Sequence, residues 1–155
     1  MEQEIIYGKW FEDFEVGMTI PHALRRTVTE ADNTVFTTMT MNPSRLHLDA
    51  AYMAESEYGQ VLVNSLFTLS TLVGISVLET THGTSTANLG FENVTFPAPV
   101  FIGDTLSGLT QVIELRPSAS RPELGIVTFE HRAAKQSGEI VCVARRKAMM
   151  KRRPA

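Results

Sequence analysis

The sequence predicts an α+β domain in which a curved antiparallel sheet wraps one long helix. Three observations predict it. Residues 64–78 carry Leu66, Phe67, Leu69, Leu72, Val73, Ile75, Val77 and Leu78, so apolar side chains cover most of a helix circumference, and such a helix must be enclosed by other structure. Four strand-like segments follow it: residues 84–96, 104–116, 125–135 and 139–151. Turn signals at Pro97, Pro99 and Gly103-Asp104, at Pro117 and Pro122, and at Ser137-Gly138 separate them. One strand and a buried helix followed by several antiparallel strands give a layered α+β domain.

Each element has a local cause. Residues 17–29 read as an extended first strand, where Pro21 suits an edge or a strand entry. Thr29 and Asp32 form a T-x-x-D capping signal for a short helix with the apolar stripe Val35, Phe36 and Met39. Asn42-Pro43 then breaks regular structure through residues 42–48. Asp49 reads as the N-cap of a second short helix and Gly59 as its stop. Asn64 or Ser65 can cap the long helix, which is expected to end near Leu78. Residues 1–155 read as a single domain with its core between residues 10 and 151.

Composition narrows the function classes. With 43% hydrophobic and 20% charged residues the chain is expected to fold rather than stay disordered. A net charge of -3 gives no global pull toward nucleic acid or acidic membranes. Cys142 is the sole cysteine, which rules out an internal disulfide, fits a reducing cytoplasmic setting, and sits in an apolar strand as a core residue would. The first ten residues lack a basic region followed by an apolar run, so no secretory signal is expected. The apolar stretch 61–78 is interrupted by Asn64, Ser65, Thr68, Ser70, Thr71 and Ser76 and reads as a buried helix, not a membrane span. His47 and Asp49 supply only two potential metal ligands with no clear third, so no metal is expected.

The stretch TMNPSRLHLD, Thr40 to Asp49, carries the strongest chemical signal. Its His47 is of the type that takes and returns a proton near neutrality; the plain alternative is a histidine bonded to its own loop. Asn42 stands five residues earlier, where acid–base chemistry would prefer a carboxylate. Two further segments accompany it: VLVNSL at the start of the long helix and PVFIGDTL from Pro99 to Leu106.

These three pieces resemble the hotdog-fold MaoC-like dehydratases, relatives of the (R)-specific enoyl-CoA hydratases. The family's motif S-G-D-x-N-P-L-H-x-D is similar to residues 40–49. Its apolar triplet followed by H-G-M is similar to residues 61–66, and its P-x-x-x-G-D-x-L signature to residues 99–106. The resemblance runs from about Trp10 to Lys151. It is closer still to the branch acting on mesaconyl-CoA, itaconyl-CoA and β-methylmalyl-CoA, on the segments ANLG, FPAPVF, GDTL, SRP, GIV and FEHRA. Arg45 replaces the motif's proline.

The resemblance implies a hotdog domain that hydrates 2-enoyl-CoA thioesters, with His47 on the water molecule and the Ser65 backbone N–H as oxyanion donor. A helix N-terminus offers free N–H groups and a favourable dipole for that task; ordinary capping by Asn64 and Ser65 is compatible with it. Asn42 matches the family's catalytic aspartate. An amide cannot shuttle protons, but it can orient water. It also removes a like charge: two anions ~4 Å apart at an effective dielectric near 20 repel by ~4 kcal/mol, about three powers of ten in affinity. A dicarboxylic acyl thioester would benefit. A plain Asn-Pro turn and a non-catalytic subunit remain open. Arg45 either pairs with the second substrate carboxylate or is a solvated charge. Asp49 either orients His47 or only caps its helix. Arg145, Arg146, Lys147, Lys151, Arg152 and Arg153 either meet coenzyme A phosphates or form a solvated strand end. No cofactor is expected beyond the coenzyme A of the substrate, and no nucleic-acid partner. Exposed sheet edges and the resemblance both imply a homodimer or higher homo-oligomer. A monocarboxylic enoyl-CoA hydratase, a hotdog thioesterase and a non-catalytic partner subunit are the rival readings.

Overall fold

The long apolar segment forms a helix over Ser65–Thr80, and a five-stranded sheet packs against it. In chain order the elements are β1 Thr19–Thr27, α1 Glu30–Met39, α2 Arg45–Leu48, α3 Ala50–Ala54, α4 Ser65–Thr80, β2 Ser85–Thr95, β3 Thr105–Pro117, β4 Leu124–Ala134 and β5 Ile140–Lys151. This computed structural model describes residues 7–154. Residues 1–6, on which most of the signal-peptide reading falls, and residue 155 lie outside the described residues.

The sheet is antiparallel throughout with order β1-β3-β4-β5-β2. The register shifts between Pro21 and Arg25, Val112 and Glu114, and Ala133 and Ala134 interrupt the regular ladder, and such interruptions bend strands and help a sheet curve. Two apolar clusters fill the interior. Leu72 and Ile75 of α4 share one with Val28, Leu106, Ala133 and Cys142. Phe14, Val112, Val127, Phe129 and Met150 form the other, with the Phe14 and Phe129 rings edge to face at 5.3 Å. Burying a side chain such as Leu72 stabilises the fold by about 1.5–3 kcal/mol. A methyl group at Gly125 would meet the Phe11 ring at 2.1 Å, so β4 needs glycine there.

A buried polar chain ties the layers together. Glu79 of α4 bonds His22 of β1 at 2.9 Å, His22 bonds Thr110 of β3 at 2.6 Å, and Thr110 bonds His131 of β4 at 2.7 Å. Burial, reinforced by the nearby Arg146 charge, pushes the His131 imidazole down to about 3. Burial likewise lowers Arg146 to about 10 and raises the Cys142 thiol to about 11.

Four expectations need correction. The stripe expected to bury α1 is mostly outside: Val35 is 60% and Met39 71% exposed, whereas Asn33 and Thr37 are buried. The reason is polar, because Asn33 finds bonding partners for its whole amide. Residues 45–48 form the one-turn helix α2 rather than irregular chain, since the Ser44 hydroxyl caps it through Leu46 N–H. Helix α3 stops at Ala54, before Gly59, where the Ser56 hydroxyl donates to the Met53 carbonyl at 2.7 Å. Helix α4 continues past Leu78 to Thr80, held by the Glu79–His22 pair. The T-x-x-D box at Thr29 and Asp32 and the Asp49 and Asn64 caps form as expected. Strand β2 is an edge strand with neither face covered, and it exposes Leu89 and Phe91.

Candidate active site

A cavity of about 420 Å³ opens where the N-terminus of α4, the α2 turn and residues 96–100 converge. Its lining includes Leu46, His47, Tyr58, Leu62, Val63, Ser65, Thr68, Val100 and Val141. The chain pins these segments to one another. Val63 N–H donates to the Val100 carbonyl at 2.9 Å, Leu62 bridges Phe101, and Leu62 N–H donates to the Leu46 carbonyl at 2.9 Å. The chain entering α4 is thereby fixed against α2 on one side and the 96–100 wall on the other.

His47 is half-buried in this cavity, and its Nδ1 lies 2.9 Å from the Leu62 carbonyl oxygen. A carbonyl oxygen only accepts, so Nδ1 carries the proton and donates it. In the neutral ring Nε2 then holds the lone pair, and no protein group among the described residues bonds it. The cavity therefore presents an oriented imidazole with one basic nitrogen.

Ser65, whose N–H is the first of α4, lines the same cavity. The cap is arranged so that this amide stays available. Asn64 Oδ1 accepts the Leu66 N–H at 3.0 Å, and the Asn64 carbonyl accepts the Thr68 N–H at 3.2 Å. No group among the described residues accepts the Ser65 N–H. A polarisable oxygen placed there would meet a donor at the positive end of a 16-residue helix.

The other sequence-predicted residues surround the cavity without lining it. A Schellman-like ending of α1 places Asn42: Met41 takes a left-handed φ of 55°, and Asn42 N–H donates to the Thr37 carbonyl at 3.0 Å. Asn42 Oδ1 accepts the Ser44 N–H at 3.0 Å, so the Asn-Pro turn is real and only the amide nitrogen is left for other work. Asn64 is buried and its polar atoms are committed to Asn33, Thr37 and Leu66. Arg45 pairs with Asp49 at 2.8 Å and stacks over Tyr52 at 4.1 Å, out on the surface. Asp49 caps α3 through the Tyr52 N–H at 2.9 Å. That N–H and then the Arg45 guanidinium hold its carboxyl below the usual range. The backbone of Leu62, not Asp49, orients His47.

The basic C-terminal run does not form one patch. Arg145 pairs with Glu130, Lys147 with Glu92 and Arg153 with Asp13, while Arg152 stacks on Phe11 and Arg146 is buried beside Phe129. Among the described residues no group of three His, Cys, Asp or Glu is placed to hold a metal ion, and no helix is long and apolar enough to cross a membrane.

Sequence reasoning placed Phe96 at a strand end, Pro97 and Pro99 in a turn and FPAPVF in the family resemblance, but did not identify residues 96–99 as a wall of the site. It also missed Tyr58 and Thr68 of the lining. The FPAPVF resemblance was the available signal for the wall, because a loop alone would not need that run of apolar residues.

Comparison with known proteins agrees with this architecture. The family model described as MaoC like domain matches residues 13–135. The chain is 31% identical over 146 residues to beta-methylmalyl-CoA dehydratase of Chloroflexus aurantiacus. It is 32% identical over 149 residues to mesaconyl-CoA hydratase of Haloarcula marismortui. Each match covers 94% of this chain but 41% of the relative, so the chain spans well under half the length of either. A Mycobacterium tuberculosis protein described as a double hotdog fold superposes with a TM-score of 0.85 at 24% identity, over 95% of this chain and 45% of that one. With the helix-wrapped sheet, the placed imidazole and the matched residues together, the chain belongs to the MaoC-like domain family and has the hotdog fold.

Proposed function

We propose that this protein catalyses the reversible hydration of 2-enoyl-CoA thioesters, acting as a hydro-lyase, and that its favoured substrates are branched C4-dicarboxylic thioesters of the mesaconyl-CoA, itaconyl-CoA or β-methylmalyl-CoA type. One observation carries the chemistry: His47, with Nδ1 committed to the Leu62 carbonyl, shares a cavity with the unclaimed Ser65 N–H. The names of the two relatives support the substrate class.

In the hydration direction the thioester carbonyl oxygen accepts from the Ser65 N–H. Water adds through its oxygen to the β-carbon while His47 Nε2 takes a water proton. The electron pair of the C=C bond moves to the carbonyl oxygen, where the helix terminus stabilises the enolate. His47 then returns a proton to the α-carbon as the enolate collapses, so one water is added and the imidazole is regenerated. The Asn42 amide, beside the cavity rather than in its lining, is assigned to the water by its match to the family's position. Its neutrality admits an acyl group that carries its own carboxylate. Coenzyme A is needed only as part of the substrate.

Two copies pair along β2. The uncovered strand with exposed Leu89 and Phe91 supports this, as does the double hotdog architecture of a neighbour of roughly twice the length.

A second reading, hydration of unbranched monocarboxylic chains, is favoured by the cavity lining. It is largely apolar, and Arg45, the expected partner of a second carboxylate, lies outside it on Asp49. Parallel turnover of mesaconyl-CoA and crotonyl-CoA, followed by loss of enoyl absorbance, separates the two readings. Release of free thiol instead of hydration overturns both in favour of a thioesterase.

A further inference from the structure

Asn33 is a polar residue in an unexpected place. It sits in the middle of α1, is 1% exposed, and lies off the cavity lining. Its amide makes three hydrogen bonds. Nδ2 donates to the His47 carbonyl at 3.1 Å and to the Leu62 carbonyl at 3.3 Å, and Oδ1 accepts the Asn64 N–H at 2.9 Å. Two carbonyls on one side and an N–H on the other fit only this orientation of the amide. No carboxylate or alkyl side chain of similar size can make the same set, since a carboxylate lacks the donors and an alkyl group lacks both.

Those partners are the two halves of the site. His47 is the base, and the Leu62 carbonyl is the acceptor that fixes its tautomer. The Asn64 N–H belongs to the peptide immediately before the one that supplies the Ser65 N–H. A single side chain therefore sets the spacing between the proton-accepting nitrogen and the oxyanion donor. We propose that Asn33 is a positioning residue that holds His47 and the α4 N-terminus in register for hydration.

The proposal rests on the hydratase reading and extends it. Charge builds on the imidazole and on the thioester oxygen only in the transition state. Loosening their spacing therefore lowers kcat more than it raises KM. A displacement near 1 Å can cost about a hundredfold in rate. Because Asn33 touches no part of the substrate, the loss is the same for every acyl chain.

The test uses Asn33→Ser, which leaves room for a water, and Asn33→Leu, which keeps volume without hydrogen bonds. Steady-state kinetics are measured with crotonyl-CoA and mesaconyl-CoA beside Tm. Gly125→Ala, which disturbs the fold at the distant Phe11 contact, controls for stability alone. The expected result is a kcat at least tenfold lower in the Asn33 variants, equal for every thioester that the wild type hydrates, with KM changed less than threefold. Gly125→Ala at a similar Tm keeps its kcat. A folded Asn33→Ser with wild-type kcat, or with a loss no larger than that of Gly125→Ala, overturns the proposal and leaves the hydratase reading standing. Wild-type protein that hydrates none of the thioesters overturns both. Should neither Asn33 variant fold, a crystal structure of the wild type with an enoyl thioester decides. All three Asn33 contacts must persist while the thioester oxygen lies at the Ser65 N–H, and their loss overturns the proposal.

Discussion

The His47 imidazole donates through Nδ1 to the Leu62 carbonyl oxygen, a residue fifteen positions away across the α3 excursion. That bond decides which nitrogen can act as base. His47→Ala is expected to lower kcat for enoyl-CoA hydration by at least about a hundredfold, with circular dichroism and Tm near those of the wild type. Near-normal turnover would remove His47 from the chemistry.

Asn42→Asp tests the charge argument. The new carboxylate still accepts the Ser44 N–H, so the turn is kept. Beside a second carboxylate it introduces repulsion of up to ~4 kcal/mol. The ratio of kcat/KM for mesaconyl-CoA to that for crotonyl-CoA should drop by about one to three powers of ten. An unchanged ratio sinks the electrostatic account of Asn42.

His131 predicts a specific acid sensitivity. Its folded value lies near 3, against 6.5 for an unperturbed histidine, because burial disfavours its charged form. The unfolded chain therefore binds the extra proton first. Stability is full above pH 6.5 and is lost progressively as pH falls toward 3, by up to ~1.4 kcal/mol per pH unit. Carboxylates such as Glu130, held low chiefly by Arg132 and Arg145, add their losses only at lower pH. Urea midpoints between pH 6.5 and 5 should slope downward with acid in the wild type and flatten in His131→Gln.

Met41 holds a left-handed φ of 55° that a side chain disfavours. The motif it resembles carries glycine at this place. Met41→Gly should raise stability by up to about 1 kcal/mol in chemical denaturation. A lower midpoint would mean that the exposed methionine makes contacts worth more than the relieved backbone.

Gly125→Ala should cost about 1–3 kcal/mol, since the Phe11 ring occupies the space a methyl group needs. A matching loss of midpoint in urea, partly restored by Phe11→Leu, would identify the clash as the cause.

Much of this structure could be read from neighbouring residues alone. Helix α4, the Thr29–Asp32 box, and the Asp49 and Asn64 caps depend on residues within four positions of one another, and all formed. The strands followed from strand-like runs between turn signals. Asn33 was unreadable for the opposite reason: its partners lie 14, 29 and 31 positions away. Without them an amide in a helix looks like a surface residue, and Val35 and Met39 look like the buried stripe. The cavity wall at residues 96–100 has the same character, because its place depends on the pairing of Val63 with Val100. Arg45 could not be placed by type, since a surface pairing with Asp49 competes with any ligand.

Strand β2 runs straight into the Phe96–Pro99 wall, and nothing in the described chain braces its outer edge. The shape of the cavity is thus open to influence from whatever lies against that edge. Specific activity should then climb with enzyme concentration before reaching a plateau, a dependence on dilution that a self-sufficient pocket would lack.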